Sequence, residues 1–309
     1  MRSRFLAAAV AVLIVALALV GCGGKSGSGG KGGSAAPADA PVITIGTKNF
    51  TEQFILGEIY KQALESSGFK VSLKSDIGSS EIVDRALTAG SLDMYPEYTG
   101  VLLSEIAGIR QRPHSPQAAY RRAKAFEEKR GFTLLSMTPF SDSNALAVTP
   151  KVAKKYNLSA IADLSRVPGV TVGAPPEFSS RFEGAVGLRQ LYHLRPRVQP
   201  FKIGEQYAAL DSGKVDAAAV FTTDGQLMKG RYVILTDPRA LFAFQNVAPV
   251  IKADIVRKYP KVASVINSVS AKLTTEAMRA MNAAAVQRKQ DPAAVARGFL
   301  ERSQLLEKP

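Results

Sequence analysis

The sequence predicts an α/β protein built as two related lobes. Three observations carry that expectation. Short β-branched runs alternate with stretches of helical periodicity along most of the chain, one αβ signature occurs twice, and 309 residues suit one or two such units. In chain order, Pro41–Ile45 reads as a buried strand that turns at Gly46. A helix opened by Thr51 follows, with Phe54, Ile55, Ile59, Ala63 and Leu64 on one face before Gly68. Phe69–Lys74 alternates like a strand, and Gly78-Ser79-Ser80-Glu81 opens a helix that closes at Gly90. The strand-helix alternation predicts parallel sheets with helices on both faces. Beyond Val148 a second series begins: strands at Val170–Gly173 and Val215–Val220, and a helix over Phe182–Leu194. From Ala253 onward the pattern is helical.

The repeated signature is Ala86-Leu87-x-x-Gly90-x-Leu92-Asp93, echoed as Ala209-Leu210-x-x-Gly213-x-Val215-Asp216. Each copy reads as helix end, glycine cap and strand, which gives Asp93 and Asp216 sheet-end or capping roles. Chance likeness between two αβ units is the alternative.

Composition narrows the chemistry. One cysteine excludes a disulfide framework and any cysteine-rich metal site, and two histidines leave little for metal or imidazole catalysis, so no metal and no cofactor is expected. No nucleophile elbow, phosphate loop or His-x-His spacing is present, so an enzyme is not expected. The formal charge is +14. Without tryptophan or aromatic-basic interleaving it does not point to nucleic acid; it suits either anionic headgroups or a solvated face.

Arg2 and Arg4 precede an apolar run from Phe5 to Val20, shorter than the ~20 residues a membrane-spanning helix needs. Residues 1–21 therefore read as an export signal. Leu19-Val20-Gly21-Cys22 resembles a bacterial lipobox, which makes Cys22 the lipidated mature N-terminus; an incidental cysteine behind a plain signal is the alternative. Residues 22–41, mostly Gly, Ser, Ala and Lys, form a flexible tether with a reach of roughly 25 Å.

Four segments, in order, then carry a family resemblance: Ile45-Gly46-Thr47-Lys48-Asn49-Phe50-Thr51-Glu52-Gln53, Tyr95-Pro96-Glu97-Tyr98-Thr99-Gly100, Glu177-Phe178-x-x-Arg181 and Phe221-Thr222-Thr223-Asp224-Gly225. The chain resembles the substrate-binding lipoproteins of osmoprotectant ABC importers of the glycine betaine, choline and carnitine type. The resemblance implies a two-lobed periplasmic-binding-protein fold, type II-like, with two crossings near Leu146–Val148 and Gln245–Val250. Lobe I would comprise 42–146 with 246–309, and lobe II 147–245. It also implies a small zwitterionic ligand, an ABC permease as partner, and a monomer.

Matched residue by residue, the resemblance makes Lys48 and Arg181 partners of the ligand carboxylate and Tyr98 one wall of an aromatic cage for the cation. Gln53 and Ser80 are polar contacts. The chain departs from the family where Asn144, Phe221 and Gln245 stand in place of tyrosines and Val101 in place of a threonine. Each aromatic face is worth about 0.5–2 kcal/mol toward a quaternary ammonium. Two lost faces weaken such a ligand by roughly one to three powers of ten unless something replaces them. The expected ligand is thus glycine betaine-like or more polar, with Asn144 and Gln245 offering hydrogen bonds. Tyrosines restored at 144 and 245 are expected to raise affinity for glycine betaine. The plainer alternatives are a solvated Lys48, an Arg181 paired with Glu177 or Glu183, a Tyr98 packed in the core, and Glu97 as a cap or hinge partner. At the level of the whole chain they are a non-transport envelope lipoprotein or an enzyme on a similar fold.

Overall fold

The structure is a computed structural model that describes residues 37, 40–109, 111, 113–227, 230–242 and 244–306. The export signal, Cys22 and nearly all of the tether lie outside the described residues.

The first half of the chain lays down β1 (Ile43–Gly46), α1 (Thr51–Ser66), β2 (Val71–Lys74), α2 (Ser80–Thr88), β3 (Met94–Tyr98), α3 (Thr99–Val101), α4 (Pro116–Glu128) and β4 (Phe132–Leu134). The middle supplies β5 (Asn144–Val148), α5 (Pro150–Tyr156), β6 (Thr171–Ala174), α6 (Gly187–Tyr192), β7 (Arg197–Pro200), α7 (Gln206–Asp211), β8 (Ala217–Phe221) and β9 (Val233–Ile234). The chain then returns through β10 (Val247–Lys252) to α8 (Ala253–Lys258), α9 (Pro260–Ser270), α10 (Thr275–Gln287) and α11 (Pro292–Arg302).

Two five-stranded sheets result, in the orders β2-β1-β3-β10-β4 and β7-β6-β8-β5-β9. Both are mixed rather than parallel. Three parallel strands in each are joined by an antiparallel fourth, β10 in the first sheet and β5 in the second. These antiparallel strands are the ones fed by the crossings between lobes.

The repeated signature has one structural meaning in both lobes. Gly90 and Gly213 end their helices at φ +79° and +73°, a region open to glycine without a Cβ penalty. The aspartate that follows then pins the neighbouring strand. Asp93 Oδ2 accepts the Thr44 N–H at 2.8 Å, and Asp216 Oδ2 accepts the Thr171 N–H at 2.9 Å.

Apolar side chains cover both faces of each sheet. Ile43, Ile45, Met94, Val247 and Ile251 face α1 and the C-terminal helices, while Tyr95, Ala248 and Val250 face α2 and α4. This alternation along β3 and β10 is what places Tyr98 and Glu97 on opposite faces of one strand end.

Two further sequence expectations need correction. The first crossing lies at Ser141–Ser143, not at Leu146–Val148. β5 pairs with β8 from its first residue, Asn144 with Phe221, so residues 144–146 belong to the second lobe and not the first. Ser141 forms an antiparallel bridge with Asn246, so the crossings lie side by side. The helix expected over Phe182–Leu194 breaks at Glu183 and Gly184 and is regular only as α6. Among the described residues no helix is long and apolar enough to cross a membrane.

Candidate functional site in the cleft between the lobes

A narrow cavity of about 40 Å³ lies between the two sheets. Seven of the eight nominated residues line it: Lys48, Ser80, Tyr98, Asn144, Arg181, Phe221 and Gln245. Most of them sit on the loops that leave the C-terminal ends of strands, where open α/β sheets leave room for ligands. Lys48 follows β1, Tyr98 ends β3, Arg181 lies beyond β6, and Phe221 ends β8. Gln53 does not line the cavity. It is fully buried in α1, where its Oε1 accepts the Lys48 backbone N–H at 3.4 Å and so shapes the lysine loop.

Both cations carry a glutamate. Lys48 Nζ lies 2.5 Å from Glu97 Oε1, 3.2 Å from Ser80 Oγ and 4.1 Å from the centre of the Tyr98 ring. Lysine and glutamate are both buried. Burial pulls the Lys48 ammonium below its usual range, against the opposing pull of Glu97. Arg181 instead reaches across to the first lobe. Its Nε and Nη2 donate to the two oxygens of Glu81 at 3.1 and 2.8 Å, the bidentate geometry that makes the strongest carboxylate pairs. Partial burial works to raise the Glu81 carboxyl, but the guanidinium prevails and holds it down at about 2.

The aromatic wall differs from the expected pair of Tyr98 and Phe221. Phe50 stands between them, stacked 5.4 Å from Phe221 and 6.2 Å from Tyr98. The amide nitrogens of Asn144 and Gln245 both engage Glu183. Asn144 Nδ2 and Gln245 Nε2 both donate to Glu183 Oε2, at 3.0 and 2.6 Å. Gln245 Oε1 accepts the N–H groups of Gly100 and Val101, each at 3.1 Å. A Cβ on residue 100 would lie 2.6 Å from the Gln245 amide, so this contact requires glycine.

A family model described as the substrate-binding domain of an ABC-type glycine betaine transport system matches residues 41–302. The chain belongs to that family. It is 32% identical over 287 residues to a glycine-betaine-binding protein of Pseudomonas aeruginosa, covering 89% of this chain and 92% of that one. It is 29% identical over 265 residues to an ergothioneine transport permease/ergothioneine binding protein of Helicobacter pylori, covering 84% of this chain and 47% of that longer one. A solved structure described as a glycine betaine/carnitine/choline ABC transporter superposes with a TM-score of 0.69 at 25% identity, over 86% of this chain and 100% of that one. The fold is accordingly that of a two-lobed binding protein.

Relative to what the resemblance to this family implied, four site residues were missed. Phe50 lies inside the Lys48 segment and Glu81 beside Ser80, and the sequence assigns neither a role. Glu97 was expected as a cap or hinge partner, and it is the counter-ion of Lys48. Glu183 was considered only as a partner for Arg181. Nothing local signals the Arg181–Glu81 pair, because its members are separated by 100 residues.

Beside the ring stack lies a second, larger opening of about 330 Å³ that shares Phe50, Phe221, Asp142 and Ile203 with the first. Its floor is a hydrogen-bonded junction between the lobes. Glu52 of α1 accepts from the Tyr98 hydroxyl at 2.8 Å, the Thr223 hydroxyl at 2.5 Å and the Asn282 amide at 2.8 Å. Burial raises the carboxyls of Glu52 and Asp142, and repulsion from Glu52 lifts Asp142 further. Burial also raises Asp224 to about 6.

Proposed function

We propose that this chain is an extracytoplasmic binding protein, anchored through a lipidated Cys22, that delivers a small zwitterion to an ABC permease and performs no catalysis. The reading rests above all on one observation: Lys48 of one lobe and Arg181 of the other line a single cavity beside a stack of aromatic rings. The ligand carboxylate lies toward these two cations and Ser80. Its cationic end lies toward Phe50 and Phe221, since Lys48 already covers one face of Tyr98. Asn144 and Gln245 shape the wall around that end. The ligand is glycine betaine or a more polar relative of it, and the ergothioneine relative keeps larger betaines in view.

The mechanism is a population shift. A ligand that touches both lobes binds the closed arrangement better than the open one, and only that difference in affinity drives closure. The closed arrangement is then the form a permease recognises.

Thermal unfolding with a panel of glycine betaine, choline, carnitine and ergothioneine tests the reading. A true ligand at 100 times its Kd stabilises the folded chain by about 2.7 kcal/mol through mass action. A melting temperature unmoved by every member at millimolar concentration contradicts it.

A further inference from the structure

Arg181 meets a carboxylate of its own chain where the site reading expects one from a ligand. Its Nε and Nη2 donate to the two oxygens of Glu81, and Glu177 and Glu105 act on it through space. The partner is held ready by its own corner of the fold. Glu81 stands in the first turn of α2, directly after Ser80, whose hydroxyl accepts from Lys48. Glu81 Oε2 accepts the Ser79 hydroxyl at 2.6 Å, and Ser79 and Ser80 both line the cavity beside Arg181. With the pair formed, the cavity of about 40 Å³ has room for no more than a few water molecules. Small-molecule pockets start at about 300 Å³. A zwitterion therefore enters only as the lobes part, and parting separates Arg181 from Glu81.

We propose that Glu81 is an internal competitor of the ligand carboxylate for Arg181, and that it sets how strongly the site favours ligands that carry a carboxylate. The inference rests on reading this cavity as the ligand site. When the lobes close around a ligand, the guanidinium fork can take either carboxylate. A ligand acid that takes it leaves Glu81 with Ser79 and water, because the Glu81 side chain is partly exposed. A cation without a carboxylate lets the Arg181–Glu81 pair re-form. Over the whole cycle only the acid gives up that pair, so the pair lowers the affinity for acids and not for other ligands. An exposed ion pair amounts to about 5-fold at most, and a hydrogen bond to a charged group to about 10- to 100-fold. This bidentate, partly exposed pair is expected at about 10-fold.

Titration calorimetry of the full chain tests this with glycine betaine and with choline, which carries a hydroxyl in place of the carboxylate. Glu81→Gln keeps the size of the side chain and removes its charge. It should tighten glycine betaine by about 10-fold and leave choline within about 2-fold. A gain for glycine betaine with choline undetected in both proteins supports the proposal equally. If Glu81 only orients Arg181 for the ligand, Glu81→Gln weakens glycine betaine or leaves it unchanged, and either result overturns the inference alone. An equal gain for both compounds also overturns it, since Glu81 would then merely hold the lobes together. Wild type and variant that both bind neither compound overturn the site reading and this inference with it.

Discussion

The two cations of the cleft are held in opposite ways. Lys48 takes its partner Glu97 from its own lobe, and both are buried. Arg181 takes Glu81 from the other lobe, and both side chains remain partly in contact with water. The first pair is thus part of a fold and persists however the lobes stand. The second exists only while the lobes are together. The difference teaches that similar ion pairs serve separate ends here: one fixes a buried charge within its own lobe, and the other ties the two lobes together.

The largest effect should come from breaking the preset pair. Glu97→Ala leaves Lys48 buried without its counter-ion, and a loss of about 3–5 kcal/mol in unfolding free energy is expected by denaturant titration. An unchanged midpoint would mean that the lysine escapes to water and that the pair carries no structural role.

Arg181→Ala should do the reverse. Binding of glycine betaine is expected to weaken by at least about 100-fold, roughly 2.7 kcal/mol, in calorimetry. The melting temperature of the ligand-free protein should hardly move, because the partner Glu81 turns to solvent. A large fall in stability with retained binding would invert the comparison.

Gln245→Tyr sharpens the contrast from the hinge side. The family resemblance expects tyrosines at 144 and 245 together to rebuild a cage and raise affinity. For a tyrosine at 245 alone the structure argues for the opposite outcome, since the Gly100 and Val101 N–H groups and Glu183 all lose a partner. A loss of about 1–3 kcal/mol in stability and no gain in glycine betaine affinity are expected. A gain in affinity would show that the wall rearranges to admit the ring.

The smallest effect is on pH. Glu81 is held down at about 2, so its contribution to lobe pairing is complete above its ordinary value near 4.5 and fades as pH falls toward 2. An interlobe distance measured by fluorescence transfer should lengthen over that window in the wild type, and should not respond there in Glu81→Gln. Asp224 has the opposite sign. Its raised carboxyl favours the folded state at acid pH, and that contribution is lost as pH rises toward about 6.

Much of this molecule was legible in the sequence because its signals are local. Periodicity marked β1, α1, α2 and β6, and the repeated glycine and aspartate marked equivalent corners of the two sheets. Lys48, Tyr98 and Arg181 were nominated only through the family resemblance of short segments, and the structure brings all three to one cavity. The first crossing was not legible. Asn144–Val148 is one continuous strand, and nothing in its apolar run shows where pairing with β8 begins. The partners of the charges were hidden for the same reason. Arg181 has Glu177 and Glu183 as near neighbours in sequence, yet the fork points across the cleft to Glu81. Asn144 and Gln245 were expected to face a ligand, and their shared acceptor became visible only when three distant segments met at the break before α6.

A crystal structure with glycine betaine bound addresses the central claim most directly. The carboxylate should lie within about 3.5 Å of both the Lys48 ammonium and the Arg181 guanidinium, with the trimethylammonium toward Phe50, Phe221 and the Asn144 wall. A carboxylate held away from both cations, or a ligand seated outside this cleft, would contradict the account.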